Sequence, residues 1–311
     1  VARYLHAFPG RPLRGMRIGV YQHSAVGRDV IVEVLQGLGA ATTALGRSDR
    51  FIPVDTEAIR PEDVELARAW AAGGGYDALV SADGDSDRPL VSDEQGRWLR
   101  GDVAGVLCAR FLGADSVSTP VSSNTVVERC GWFPEVRRTR IGSPYVIASM
   151  MEAAAAGRQR VVGYEANGGF LLQTDVVLDG CRLRALPTRD ALVVMLGVLL
   201  GARRAGLTVG AWAGQLPPRF TASDRLRDFP AESSRNVLRR YAAGQKGIDL
   251  GQLGSDFGSL TGSLPTSANG TDGVRATFAN GEVVHLRPSG NAPEFRCYTE
   301  ADTAERAEAL C

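Results

Sequence analysis

Three short segments carry residue types that suit chemistry. The first is Asp83-Gly84-Asp85-Ser86-Asp87-Arg88, which follows an apolar run. Three carboxylates at alternate positions repel and raise one another's pKa values unless a cation neutralises them. Hard oxygen donors of this kind suit Mg²⁺ or Ca²⁺; without a cation the same residues make a solvated acidic turn. An EF-hand is excluded, because Arg88 stands where the sharp turn needs Gly and Pro89 follows it. The second segment is Arg287-Pro288-Ser289-Gly290-Asn291-Ala292-Pro293, with Arg296 just beyond. Two Arg forks, a hydroxyl, an amide and glycine-exposed N–H groups make a phosphate cradle, against the plainer reading of a turn with surface Arg. The third is Gly163-Tyr164-Glu165-Ala166-Asn167-Gly168-Gly169-Phe170. Its carboxylate and amide match vicinal sugar hydroxyls, and an ordinary Asn-Gly-Gly turn is the rival. A Gly27–Arg28 turn in the run His23–Asp29 offers an anion a seat, with a simple strand-to-helix loop as the rival reading.

Composition narrows the remaining chemistry. The 311 residues carry 35 basic and 35 acidic side chains, so the formal net charge is zero. That argues against a nucleic-acid partner held by a broad basic face. Lys246 is the single lysine, which excludes most lysine chemistry. The cysteines are Cys108, Cys130, Cys181, Cys297 and Cys311, odd in number and never at CxxC spacing. They indicate neither a disulfide framework nor a zinc site, and point to a reducing, cytoplasmic compartment. The longest apolar run, 191–200, falls short of the ~20 residues that span a bilayer, so no membrane association is expected.

Elements that must position these segments follow from periodicity. Strands are expected at Met16–Tyr21, Tyr76–Ser81, Ser116–Val121, Val136–Ile141 and Arg160–Tyr164. Helices are expected at Asp29–Leu38, Pro61–Ala72, Gly101–Gly113, Thr125–Cys130, from Ser143 to about Ala156, and at Asp190–Ala205. Ser143 and Thr188 read as helix N-caps and Pro144 as a first helical residue. The alternation implies α/β layers with largely parallel pairing. Leu216–Asp228 reads as a linker and Thr266–Gly273 as a turn. Beyond the linker, Thr277–Leu286 reads as a hairpin with Asn280-Gly281 in a type I′ turn. Cys297–Thr299 follows as a strand and Ala301–Leu310 as a helix. The expected fold class is therefore α/β: two consecutive mixed α/β domains, 1–113 and 114–218, followed by a smaller α+β domain, 219–311. A metal loop, a hydroxyl-reading loop and a phosphate cradle on three successive domains suggest a phosphorylated sugar as the ligand.

With ADGDSDR (82–88), TRIGSPYV (139–146), GYEANGGF (163–170) and the run 271–301 in this order and at domain-sized intervals, the chain resembles the α-D-phosphohexomutases. It is most like the bacterial phosphomannomutase/phosphoglucomutase branch. The resemblance covers nearly the whole chain and implies phosphohexomutase domains two, three and four. The family's first domain, with a phosphorylated catalytic Ser in a Ser-His loop, has no counterpart in 1–311 and is expected to be missing from this chain. The resemblance further implies a Mg²⁺-dependent isomerase of carbohydrate metabolism. It would interconvert hexose 6-phosphate and hexose 1-phosphate, of mannose or glucose, by phosphotransfer through a phosphoserine and a hexose 1,6-bisphosphate.

Residue by residue, the resemblance makes Asp83, Asp85 and Asp87 the Mg²⁺ ligands and Arg88 the group that neutralises the transferring phosphoryl. Glu165, Asn167 and Arg140 would meet the sugar. Arg287, Ser289, Gly290, Asn291 and Arg296 would hold the phosphate that does not react. The chain departs from relatives that carry Ser and His where it has Asn167 and Gly169, and Asn291 replaces the commoner Thr. On this reading the chain alone is inactive. The alternatives are a non-catalytic sugar-phosphate binding protein and a metal-dependent phosphatase.

Overall fold

The structure is a computed structural model and describes residues 1–243, 247–290 and 292–311. Lys246 and Asn291 lie outside the described residues. The chain forms two compact units, one of residues 1–138 and 142–217 and one of residues 139–141 and 218–311.

The first unit contains the same topological motif twice. In one sheet Arg17–Tyr21 pairs parallel with Ala41–Leu45 and with Ala78–Ala82, and Ala78–Ala82 pairs antiparallel with Pro89–Val91. In the other, Ser116–Pro120 lies between Glu135–Thr139 and Val161–Tyr164. It pairs parallel with Val161–Tyr164, which in turn pairs antiparallel with Phe170–Leu172. The expected parallel pairing thus ends, in each sheet, at an antiparallel return strand. The reason is loop length: five or six residues close a hairpin, whereas a parallel return needs a crossover of a dozen or more.

One hydrophobic core serves both sheets, joining Ile18, Val20 and Val80 of the first to Val117, Val162 and Phe170 of the second. The helices Gly101–Leu112 and Ala191–Ala205 run through it with most of their residues buried. Gly113 closes the first of them in the left-handed conformation. Asp190, not Thr188, caps the second. Its carboxylate accepts the Val193 N–H and the Tyr4 hydroxyl, and its own N–H donates to the carbonyl of Phe170. A shorter side chain at Thr188 could not reach these partners from two residues farther out.

The second unit is a five-stranded antiparallel sheet in the order Phe220–Leu226, Phe295–Ala301, Val283–Pro288, Val274–Phe278, Pro265–Asn269. Two expectations are corrected here. The segment read as a linker forms the edge strand Phe220–Leu226, anchored by Arg219. That side chain is fully buried and paired with Glu300 at 2.7 Å and Asp302 at 2.6 Å. The segment read as a turn holds the opposite edge strand, Pro265–Asn269. Asn280-Gly281 is not a type I′ turn either. Gly281 has φ 82° while Asn280 keeps a negative φ, and the turn is closed by the Glu282 carbonyl accepting from Phe278 N–H. Among the described residues no helix is long and apolar enough to cross a membrane.

Candidate active site

All three chemically suggestive segments are loops that close antiparallel strand pairs. Asp83–Arg88 joins Ala82 to Pro89, which are register partners. Glu165–Gly169 joins Tyr164 to Phe170, and Ser289–Glu294 spans Pro288 and Phe295. A hairpin loop has its ends fixed by the sheet, so short-range hydrogen bonds suffice to set its shape.

In the acidic loop, Asp83 is 7% exposed. One of its oxygens accepts the N–H groups of Asp87 and Arg88, each at 3.1 Å. Ser86 sits at φ 66° and turns the loop. The carboxylates of Asp83, Asp85 and Asp87 each bring an oxygen within 4.8 Å of the others. Burial first, and then the charges of Asp85 and Asp87, push the Asp83 carboxyl up to about 6 against the opposing pull of Arg88. Arg88 Nε stands 3.7 Å from both Asp83 and Asp87 and takes no hydrogen bond. Asp87 Oδ1 is buried and likewise takes none. An orphaned buried carboxylate oxygen beside two more carboxylates is the donor set a hard divalent cation fits. Among the described residues no other such cluster occurs. The His23–Asp29 run backs this loop: Val26 N–H donates to Gly84 O, Gly27 N–H to Ser86 Oγ, and buried His23 donates Nε2–H to Ala82 O at 2.7 Å.

The Glu165–Gly169 loop lies in the same unit. Glu165 is 5% exposed. One of its oxygens, Oε2, accepts from Ser143 Oγ at 2.8 Å and from Arg189 Nε at 2.9 Å. Ser143 was expected to cap the helix Ser143–Ala155, but Gly142 holds that position and no side chain caps it. The hydroxyl serves Glu165 instead. Asn167 Oδ1 closes its own turn by accepting Gly169 N–H, which leaves its NH₂ group for a ligand. The loop backbone rests on Gly101, where a Cβ would come within 2.2 Å of Gly168 N.

Arg189 is the residue sequence reasoning missed. Besides Glu165 it reaches Asp87, with Nη1 at 3.0 Å from Oδ2. Burial works against its charge, but the two carboxylates outweigh burial and raise its pKa. Its only sequence signal was a place in Thr188-Arg189-Asp190, which reads as a helix start.

The second unit holds the basic residues. Arg287 is 8% exposed and donates Nε–H to Asp272 Oδ1 at 3.3 Å. It stands directly across the strand pair from Arg296, which Glu294 neutralises at 2.9 Å. Like charges facing each other disfavour a strand pair unless they are compensated, and here Asp272 and Glu294 compensate them. Ser289 N–H donates to Glu294 O and pins the loop, and Gly290 stands in open space. Asp272 also accepts the N–H of Ile141 at 2.9 Å, which ties the residue next to Arg140 into this unit.

Asp272 O further accepts from His285 Nε2 at 2.6 Å. Burial drives the His285 pKa down to about 4. A folded-state pKa below the ordinary 6.5 means the neutral ring stabilises the fold above that pH. The contribution is lost as pH falls from 6.5 toward 4. Denaturant unfolding of the wild type should therefore show stability falling through this window, and His285→Gln should flatten the slope.

Comparison with known proteins agrees with this arrangement. Residues 100–220 match the profile described as phosphoglucomutase/phosphomannomutase, alpha/beta/alpha domain III. Residues 240–311 match the C-terminal domain of the same family. A phosphomannomutase of Salmonella muenchen is 43% identical over 307 residues, 99% of this chain and 62% of that protein. One of Sinorhizobium fredii is 43% identical over 310 residues, 100% of this chain and 64% of that protein. The chain thus spans under two thirds of the length of these relatives. Among solved structures, a phosphoglucomutase/phosphomannomutase family protein from Burkholderia thailandensis superposes with a TM-score of 0.70 at 16% identity, covering 95% of this chain and 58% of its own. An N-acetylphosphoglucosamine mutase from Aspergillus fumigatus, in complex with GlcNAc-6P and magnesium, gives 0.65 at 18% identity, covering 99% and 63%. These two show the fold. With two of its domain profiles matched in order and the two relatives aligned across nearly all of its residues, this chain belongs to the phosphoglucomutase/phosphomannomutase family.

Proposed function

We propose that the protein containing this chain is a Mg²⁺-dependent phosphohexomutase that interconverts hexose 6-phosphate and hexose 1-phosphate. The observation that carries the reading is the acidic hairpin, where Asp87 keeps a buried oxygen that takes no hydrogen bond, in a cluster with Asp83 and Asp85. Those three carboxylates would hold Mg²⁺, which when bound supplies positive charge beside the transferring phosphoryl group. Arg88, whose Nε likewise makes no hydrogen bond, adds charge on the same side. Phosphoryl transfer relies mainly on such positioning and charge stabilisation. Glu165 would accept a hydrogen bond from a sugar hydroxyl and the Asn167 NH₂ would donate one, fixing the ring. Arg140 would approach the sugar as well, while Arg287, Arg296, Ser289 and Gly290 would hold the phosphate that does not react; Asn291 belongs to the same run of sequence.

The phosphorylated serine would come from the remainder of the protein, and hexose 1,6-bisphosphate would be the intermediate and activator. The names of the two 43%-identical relatives make mannose phosphate the first substrate to test. We place the protein in the cytoplasm, in keeping with its five free thiols.

A coupled assay of the whole gene product with mannose 1-phosphate tests the reading. Mg²⁺-dependent formation of mannose 6-phosphate is expected from the whole protein, with none from residues 1–311 alone. Turnover by 1–311 alone would contradict the assignment of the nucleophile. Saturable sugar-phosphate binding by a whole protein without turnover would instead establish a binding protein.

A further inference from the structure

We propose that Arg189 is a positioning residue that couples the acidic loop to the Glu165 loop, so that the charge state of one sets the cation affinity of the other. The inference rests on the metal reading of Asp83, Asp85 and Asp87 and adds to it a residue from outside both loops.

The geometry is specific. Arg189 spends Nη1 on Asp87 Oδ2 at 3.0 Å and Nε on Glu165 Oε2 at 2.9 Å. A guanidinium is a rigid planar fork, so the two carboxylates are tied at a fixed separation although they lie 78 positions apart in sequence. In both, the fork occupies one oxygen only. Asp87 Oδ1 remains buried without a hydrogen bond, and the bonds from Arg189 and Ser143 both fall on Oε2 of Glu165. Each carboxylate is therefore oriented by one oxygen and presents the other.

Arg189 is itself held firmly. The next residue, Asp190, caps the buried helix Ala191–Ala205 and donates its N–H to Phe170 O at 3.0 Å, at the end of the Glu165 loop. Gly169 leaves the room the side chain needs, since a Cβ there would lie 2.8 Å from Arg189 Cδ. A side chain at position 169 would therefore force Arg189 to move.

The consequence is electrostatic. A cation and Arg189 compete for the charge of Asp87. Glu165 relieves the competition by sharing the guanidinium. Neutralising Glu165 leaves the full positive charge of Arg189 on Asp87, and the cation must then displace it.

The test needs no sugar. Mn²⁺ alone is titrated into residues 1–311, with free Mn²⁺ read by electron paramagnetic resonance, for the wild type, Glu165→Gln, Arg189→Met and the double variant. Glu165→Gln is expected to weaken Mn²⁺ binding on the order of 3- to 10-fold when Arg189 is present. In the Arg189→Met background it should change the affinity by less than about 2-fold. A merely structural Arg189 would lower affinity additively and leave the Glu165→Gln effect unchanged, and that result overturns the proposal. If Arg189→Met does not fold by circular dichroism, Arg189→Gln takes its place with the same expectation. Absence of Mn²⁺ binding by the wild type would overturn the metal reading itself, and the coupling with it. Normal binding with an additive cycle would overturn the coupling alone.

Discussion

Asp83→Asn is expected to weaken divalent-cation binding by at least about 100-fold, within the roughly 2–5 kcal/mol seen when one partner of a desolvated charge pair is lost. The same substitution should raise the stability of the metal-free protein. Asp83 is buried among like charges, and its carboxyl is pushed up to about 6, so at pH 7.5 the folded protein holds a charge it disfavours. Asn retains an oxygen to accept the N–H groups of Asp87 and Arg88, so the turn survives without the charge. The two effects have opposite signs, which separates this account from simple damage to the loop. Calorimetry with Mg²⁺ or Mn²⁺ reads the first, and a thermal melt in chelator reads the second. A variant that loses both metal affinity and apo stability would mean that Asp83 serves the turn rather than a cation.

Arg287→Ala should cost about 1.5–3 kcal/mol of hexose phosphate affinity, the usual worth of a hydrogen bond to a charged group, or roughly 10- to 150-fold. Arg287 is buried and held in place by Asp272, so it meets an anion already oriented. Lys at the same position keeps the charge without the planar fork, and Arg287→Lys is expected to fall between wild type and Ala. Mn²⁺ affinity should be unchanged in both, since the cation ligands belong to the acidic loop. Titration of glucose 1-phosphate or mannose 1-phosphate into each variant checks the series. Equal affinities for Arg, Lys and Ala would remove Arg287 from the phosphate site.

Much of the candidate site was legible because its signals are local. Three carboxylates within five residues, or two Arg flanking Ser-Gly, announce a charge problem whatever the surrounding fold. The strands before the loops were legible for the same reason, being short apolar runs with clear ends. What escaped the sequence depends on contacts between distant residues. Arg189 meets Asp87 across 102 positions and Glu165 across 24, and nothing beside Arg189 in the chain marks it. Ser143 precedes Pro144 and resembles a cap, yet its hydroxyl is spent on Glu165.

The edge strand Phe220–Leu226 was hidden because most of its side chains are exposed. It lacks the apolar alternation of a half-buried strand, and Pro217-Pro218 before it reads as a break. Its pairing comes instead from the neighbouring strand Phe295–Ala301 and from the buried ion pairs of Arg219. The Asn280-Gly281 turn shows a further limit. The dipeptide was right for a hairpin, but the turn type depends on the φ of Asn280, which the dipeptide alone does not fix.

The most direct test of the central claim is calorimetric titration of residues 1–311 with mannose 1-phosphate, with and without Mg²⁺. The account predicts saturable one-to-one binding that is abolished or greatly weakened in Arg287→Ala. It also predicts a Mg²⁺ dependence that disappears in Asp83→Asn. Absence of binding under both conditions, or binding indifferent to both substitutions, would contradict it.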